Sequence, residues 1–261
     1  MIRVEKRFVL LTRDDFETRY VANVLNGTVE LDCIVVDRRP QKADGRRALK
    51  KGFSHFISKA ARTAFLKLVN DDAARARTLT DLFGKAAQSF DTPEKVRSVD
   101  GVNSDECIAL VRQVDPDAIL VYGTSVVKGS VLSLSRDICL NMHTGISPYY
   151  RGTACTFWPV VNGEFNMLGA TIHECTSHID GGTIFEIARA KYQPGDDLHA
   201  LFGRVVIAGA EAYVNVVRRY LAGELRGEPQ NLRLGVEYRG SELTLGPELR
   251  ARLRLAGMAR R

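Results

Sequence analysis

Apolar residues along this chain fall into two patterns. Short unbroken runs, Phe8 to Leu11, Cys33 to Val36 and Ala118 to Tyr122, are rich in branched side chains and read as strands of a parallel sheet buried on both faces. Asp137 to Leu140 leads into another strand, and T-I-F-E-I-A-R, soon after Asp180, predicts one more. Elsewhere apolar positions recur at three and four, predicting helices over Phe16 to Leu25, Ser104 to Val114, Thr156 to Val161 and Leu198 to Leu221. Asn103 or Ser104 caps the second of these and Asp115-Pro116 closes it. Strands alternating with helices define an α/β fold, a doubly wound and mostly parallel sheet. From Gly223 onward a Gly-Glu-Pro linker, the alternating run L-R-L-G-V-E-Y-R and a basic helix from Pro247 to Arg261 predict a small C-terminal appendage. The expected organisation is therefore a main domain over 1–222 and an appendage over 223–261.

A basic helical insertion is expected over about 38–97. From Arg38 to Arg62 there are nine Lys or Arg against a single acid, Asp44. The apolar positions Leu49, Phe53, Phe56, Ile57, Ala60, Ala64, Phe65 and Leu68 follow helical spacing. A helical cap with a solvated basic face accounts for this pattern. The functional alternatives are a hold on a phosphate-bearing substrate or contact with an anionic membrane surface.

Composition narrows the class. With 45% hydrophobic and 26% charged residues in 261, the chain has an ordinary globular composition. Five cysteines without a Cys-x-x-Cys argue against a disulfide framework and a structural zinc site. The start M-I-R-V-E-K-R-F shows no leader, and no later stretch approaches 18 continuous apolar residues, so a cytoplasmic protein without a transmembrane segment is expected. A net charge of +6 favours anionic partners. No Gly-x-Gly-x-x-Gly follows the first strand, so a dinucleotide cofactor is not supported.

The chemistry concentrates between Cys139 and Phe185. Asn141 and His143 fall where a strand runs out, and residues two apart on a strand share a side. In open α/β sheets the carboxyl ends of strands are where ligands bind. An Asn amide can donate to a developing oxyanion, and a His can polarise the same centre or relay a proton. Asp180, in Asp-Gly-Gly, would orient the imidazole, stabilise its charged form or accept the proton through water. Between them lies Y-Y-R-G, where Arg151 either meets a carboxylate or phosphate or pins the loop, while Phe157 and Trp158 read as core residues.

The runs N-M-H-T-G-I-S-P-Y-Y-R-G and G-A-T-I-H-E-C-T-S-H-I-D-G-G-T-I-F resemble the formyltransferases that use 10-formyltetrahydrofolate, among them the glycinamide ribonucleotide, methionyl-tRNA and sugar-amine enzymes. The resemblance is specific over roughly Asp115 to Leu221. It implies Asn141, His143 and Asp180 as the catalytic triad, with Asn141 and protonated His143 holding the oxyanion and Asp180 handling proton transfer. It further implies a folate pocket of Tyr122, Gly123, Thr124, Val126, Val127, His173 and Ile179, with the acceptor near Thr144, Tyr149, Tyr150, Arg151 and Gly152 and no metal. The R-G-T-A-C-T-F-W-P segment and the terminal G-V-E-Y-R-G-S-E-L-T run look most like enzymes that formylate 4-amino-deoxy sugars on nucleotides for surface polysaccharide such as lipopolysaccharide O-antigen. The resemblance leaves no room for a separate tRNA-gripping barrel, so a small-molecule amine and no nucleic acid is expected, with a homodimer left open. Alternatives are formylation of glycinamide ribonucleotide or hydroxyornithine, or hydrolysis of the formyl donor.

Overall fold

The computed structural model describes residues 6–39 and 52–259. Its strands are β1 (Phe8–Thr12), β2 (Cys33–Asp37), β3 (Val96–Val99), β4 (Ala118–Val121), β5 (Ile138–His143), β6 (Tyr150–Gly152), β7 (Gly169–Glu174), β8 (Ile184–Arg189) and β9 (Val236–Tyr238). The helices are α1 (Phe16–Asn26), α2 (Phe53–Leu68), α3 (Asp71–Phe83), α4 (Asp105–Val114), α5 (Gly129–Leu132), α6 (Phe157–Asn162), α7 (Leu198–Leu221) and α8 (Leu245–Met258). Seven strands form one sheet in the order β3-β2-β1-β4-β5-β7-β8. The first five pair in parallel, whereas β5 with β7 and β7 with β8 are antiparallel. The predicted mostly parallel, doubly wound sheet is the one observed.

Every residue of β1, β2 and β4 is buried, which is why these strands read as unbroken apolar runs. Alternate residues serve opposite faces: Phe8 and Leu10 join the core under α1, α3 and α7, while Val9 and Leu11 join Cys107 and Val111 of α4. Ser104 caps α4 by accepting from the Cys107 amide at 3.2 Å, and Asp115 ends it with φ +53° just before Pro116. The 24-residue α7 is long and apolar enough to cross a bilayer, but its apolar window is 67% buried as the central core helix.

Tyr213 of α7 reaches between β4 and β5. Its phenol accepts from the Val121 amide at 3.0 Å and donates to the Leu140 carbonyl at 2.8 Å, just before the chain reaches Asn141. Tyr213→Phe would leave both backbone groups buried without partners, at a cost of about 1–3 kcal/mol. A thermal unfolding midpoint lower by roughly 2–4 °C per kcal/mol is the expected result.

The C-terminal residues are joined to the main sheet's loops. Strand β9 pairs in parallel with β6, and Tyr238 stacks on both Tyr150 and Trp158, with centroids 5.6 and 4.6 Å apart. Ala251 and Leu255 of α8 share a buried cluster with Trp158, Val160, Leu201 and Val205, so Trp158 is a core residue. The predicted helix in the basic insertion is present as α2, except that Leu49 lies outside the described residues. Its orientation differs from the solvated basic face expected. His55 and Lys59 meet the carbonyls of Ser241 and Gly240, and Arg62 pairs with buried Glu248, so the polar side faces inward.

Candidate functional site

Strand order reverses between β1 and β4, and the main cleft, about 1010 Å³, opens at the carboxyl ends of the strands around that point. Arg13 follows β1, Arg39 follows β2, residues 122–127 follow β4, and Asn141 to Thr144 end β5.

Local strand geometry gathers the chemistry. Asn141 and His143 share one side of β5, while Met142 between them points into the core. Because β7 runs antiparallel to β5, with Asn141 opposite His173, the two side chains touch at 3.0 Å between Asn141 Nδ2 and His173 Nε2. His173 Nδ1 lies 2.8 Å from the Glu174 carbonyl, and its Nε2 is shared between the Asn141 side-chain amide at 3.0 Å and Asp180 at 3.5 Å. The Asn141 side chain makes no other hydrogen bond among the described residues, so its second N–H is free toward the cleft. On His143, Nε2–H donates to the Tyr150 carbonyl at 2.9 Å and Nδ1 faces Asp180.

Asp180 closes the constellation from the loop between β7 and β8. One carboxylate oxygen lies 3.4 Å from His143 Nδ1 and accepts from the Gly152 amide at 2.8 Å, and the other lies 3.5 Å from His173 Nε2. Its backbone is left-handed, with φ +48°, and its carbonyl accepts from Gln230 at 3.1 Å. Gly152, at φ +89°, and Ala154, at φ +58°, adopt the same region nearby, so unusual backbone is concentrated where the side chains converge. Burial pushes the Asp180 carboxyl up, but the charge of His143, the hydrogen bond and charge of His173 and the Gly152 amide outweigh it and hold the group well below the usual carboxylate range. Asp180 is therefore an ionised carboxylate at neutral pH, facing one imidazole at 3.4 Å and the other at 3.5 Å.

The remaining residues singled out in the sequence divide. Tyr122, Gly123, Thr124, Val126, Val127, His173, Ile179, Thr144 and Gly152 all line the cleft. Tyr122 does so beside a ring that is buried in the core. Tyr149, Tyr150 and Arg151, expected at the acceptor, lie outside its wall. Tyr150 is drawn away by its hydrogen bond to Glu164 and its stacking on Tyr238, and Arg151 donates to the Pro148 and Leu232 carbonyls at 3.2 Å each, pinning the loop without an acid. Tyr149 is exposed, its carbonyl taken by the Val236 amide.

Sequence reasoning missed Arg13 and one wall, and it offered Arg39 only as part of the basic stretch from Arg38 to Arg62. Arg13 donates to the Arg39 carbonyl at 2.9 Å, its Nε is buried without a partner, and among the described residues neither guanidinium has a carboxylate within ion-pair distance. Asp37, the nearest acid in sequence to Arg39, is engaged by the Arg39 amide and the Ser125 hydroxyl at 2.9 Å each. Both arginines lie within three residues of the carboxyl ends of predicted strands, a position that the rule for open sheets would have flagged. The wall comes from Glu237, Tyr238, Arg239 and Gly240, far along the chain. Among the described residues no group of three or more His, Cys, Asp or Glu is arranged to hold a metal ion.

A family profile described as formyl transferase matches residues 27–217, and the chain belongs to that family. Among curated proteins, the methionyl-tRNA formyltransferase of Geobacter metallireducens is 30% identical over 140 residues, 53% of this chain and 43% of the relative. The chain thus spans less than half the length of that relative. Among solved structures, a 4-N formyltransferase from Francisella tularensis superposes with a TM-score of 0.58 at 14% identity, covering 96% of this chain and 88% of that one. A formyltransferase from Anoxybacillus kamchatkensis, in complex with UDP-4,6-dideoxy-4-formamido-L-AltNAc and tetrahydrofolate, gives 0.53 at 16% identity, covering 97% and 99%. At these identities the two structures establish the shared fold.

Proposed function

We propose that this cleft transfers a formyl group from 10-formyltetrahydrofolate to the primary amine of a phosphate-bearing acceptor, a nucleotide-linked 4-amino-deoxy sugar first among them. The observation that carries the reading is the meeting of Asn141, His143 and Asp180 in the cleft that also holds Arg13 and Arg39, which have no carboxylate partner among the described residues. The solved structures named above, one of them with a formylated nucleotide sugar, support the acceptor class.

The residues present fit a folate donor. The cleft leaves Val126 and Ile179 with 63% and 41% of their surface exposed, an apolar cost that a flat ring laid against them would remove. Backbone of residues 122–127 offers donors and acceptors beside them. When bound, that donor supplies an activated formyl carbon. Asn141 then offers its free N–H to the carbonyl oxygen as negative charge develops there. A proton at His143 Nδ1 makes an imidazolium held between the Tyr150 carbonyl and Asp180, adding positive charge at the same place. Asp180 accepts the proton lost by the attacking amine, directly or through water. Burial of His143 and His173 excludes bulk water from the proton's route.

The test is turnover of 10-formyltetrahydrofolate with nucleotide-linked amino sugars, glycinamide ribonucleotide, hydroxyornithine and methionyl-tRNA, the last included because of the 30% identity. Acceleration by an amino-sugar nucleotide supports the proposal, and acceleration by methionyl-tRNA alone replaces its acceptor. With the phosphate-bearing acceptor, Arg13→Ala is expected to raise KM roughly 10- to 100-fold, the loss of one or two hydrogen bonds to a charged group, with kcat nearly unchanged.

A further inference from the structure

The turn that carries Asp180 is held from outside as well as from within. Its backbone at Asp180, φ +48°, is a conformation that residues other than glycine enter sparingly and keep only where their surroundings over-determine it. Inside the turn the Gly181 amide reaches the His178 carbonyl at 3.2 Å. The rest of the hold comes from residues 228–232, which follow α7. Ile184 and Glu228 exchange backbone hydrogen bonds at 2.8 Å each, and a Cβ added to Gly181 would lie 3.1 Å from Leu232 Cδ1. Between these two contacts Gln230 donates through Nε2 to the Asp180 carbonyl at 3.1 Å and to the Gly182 carbonyl at 2.5 Å. One side-chain amide therefore ties the backbone on both sides of Gly181.

The side-chain type follows from the partners. Backbone carbonyls only accept, so both must meet the amide end of Gln230, which carries two N–H donors. The amide keeps this orientation although it leaves Oε1 buried without a partner among the described residues, itself an unfavourable arrangement. A glutamate here would set negative charge against two carbonyl oxygens. The Asp180 carboxylate, by contrast, meets the Gly152 amide and the two imidazoles, so its distances to them depend on where the backbone of the turn lies. We infer that Gln230 is a positioning residue, which ties the turn so that the Asp180 carboxylate stays at the Gly152 amide and between His143 and His173; for its effect on turnover this rests on Asp180 as the proton acceptor.

Gln230→Met, similar in length but without donors, tests this in the full chain, with Gln230→Ala as a second variant. Two neighbouring amides separate placement from general support. The Gly152 amide donates to the Asp180 side chain, whereas the Thr153 amide donates to the Tyr238 carbonyl at 2.8 Å. Hydrogen exchange at Gly152 is expected to speed up at least about tenfold in the variants while Thr153 stays within about twofold of the parent. With a working acceptor, kcat is expected to fall about 10- to 100-fold with acceptor KM nearly unchanged. Exchange at Gly152 that keeps the parental rate would overturn the inference, as would parental kcat. Equal acceleration at both amides would also overturn it, by making Gln230 a general support of the C-terminal residues. A parent chain inert with every acceptor would instead remove the reading of the cleft, and the comparison of Gly152 with Thr153 would still decide whether Gln230 places Asp180.

Discussion

Asp180→Asn is expected to lower turnover about 10²- to 10⁴-fold with little change in acceptor KM. The substitution keeps the shape of the side chain and an oxygen for the Gly152 amide, but removes the negative charge that faces His143 Nδ1 and His173 Nε2. Without it, the proposed reaction loses its proton acceptor and the negative charge that faces His143 Nδ1. The same change alters stability in a defined direction. Because the folded value of the Asp180 carboxyl lies below its unfolded value of about 4, its contribution is in place above that pH and is lost as pH falls through the folded value. Thermal unfolding of Asp180→Asn should therefore depend less on pH below about 4 than that of the parent chain. Near-normal turnover in the variant, measured in a single-turnover experiment, would remove Asp180 from the chemistry.

Gly145→Ala is expected to cost about 10² in turnover through position alone, the scale on which a misplacement of about 1 Å acts. A Cβ built on Gly145 would lie 2.6 Å from His143 Nε2, 2.4 Å from the Cys155 Cβ and 2.7 Å from the Tyr150 carbonyl oxygen. The carbonyl is backbone and Cys155 is buried, so the imidazole is the neighbour most able to move, and it would leave its hydrogen bond to Tyr150. Gly246→Ala, where no atom lies within 4 Å of the added carbon, is the control and should retain parental turnover. Equal kinetics for the two variants would mean that His143 is not held as described.

Much of this site was legible because strand periodicity and strand ends are local properties. Asn141 and His143 two apart at the end of β5 needed only the apolar run before them and the period of a strand. Ser104 and Asp115-Pro116 marked the ends of α4 in the same local way. The Arg13–Arg39 pair and the wall from Glu237 to Gly240 depend on sheet order, which brings together residues from both ends of the chain. Strands β6 and β9 have three residues each, too short to carry a pattern, and their pairing is what draws Tyr150 and Arg151 out of the cleft. For α2, helical spacing separated a basic arc from an apolar one but carried no information on which would face inward. That was decided by Glu248 and the Gly240 and Ser241 carbonyls, far away in sequence.

The central claim is that the carbon leaves the donor for an amine. The most direct measurement follows 10-formyltetrahydrofolate labelled at the formyl carbon, incubated with the protein and an amino-sugar nucleotide, and counts label in the acceptor and in formate. Label on the acceptor nitrogen in step with tetrahydrofolate, lost in Asp180→Asn, is the predicted result. Label released as formate at one rate with or without any amine would contradict it.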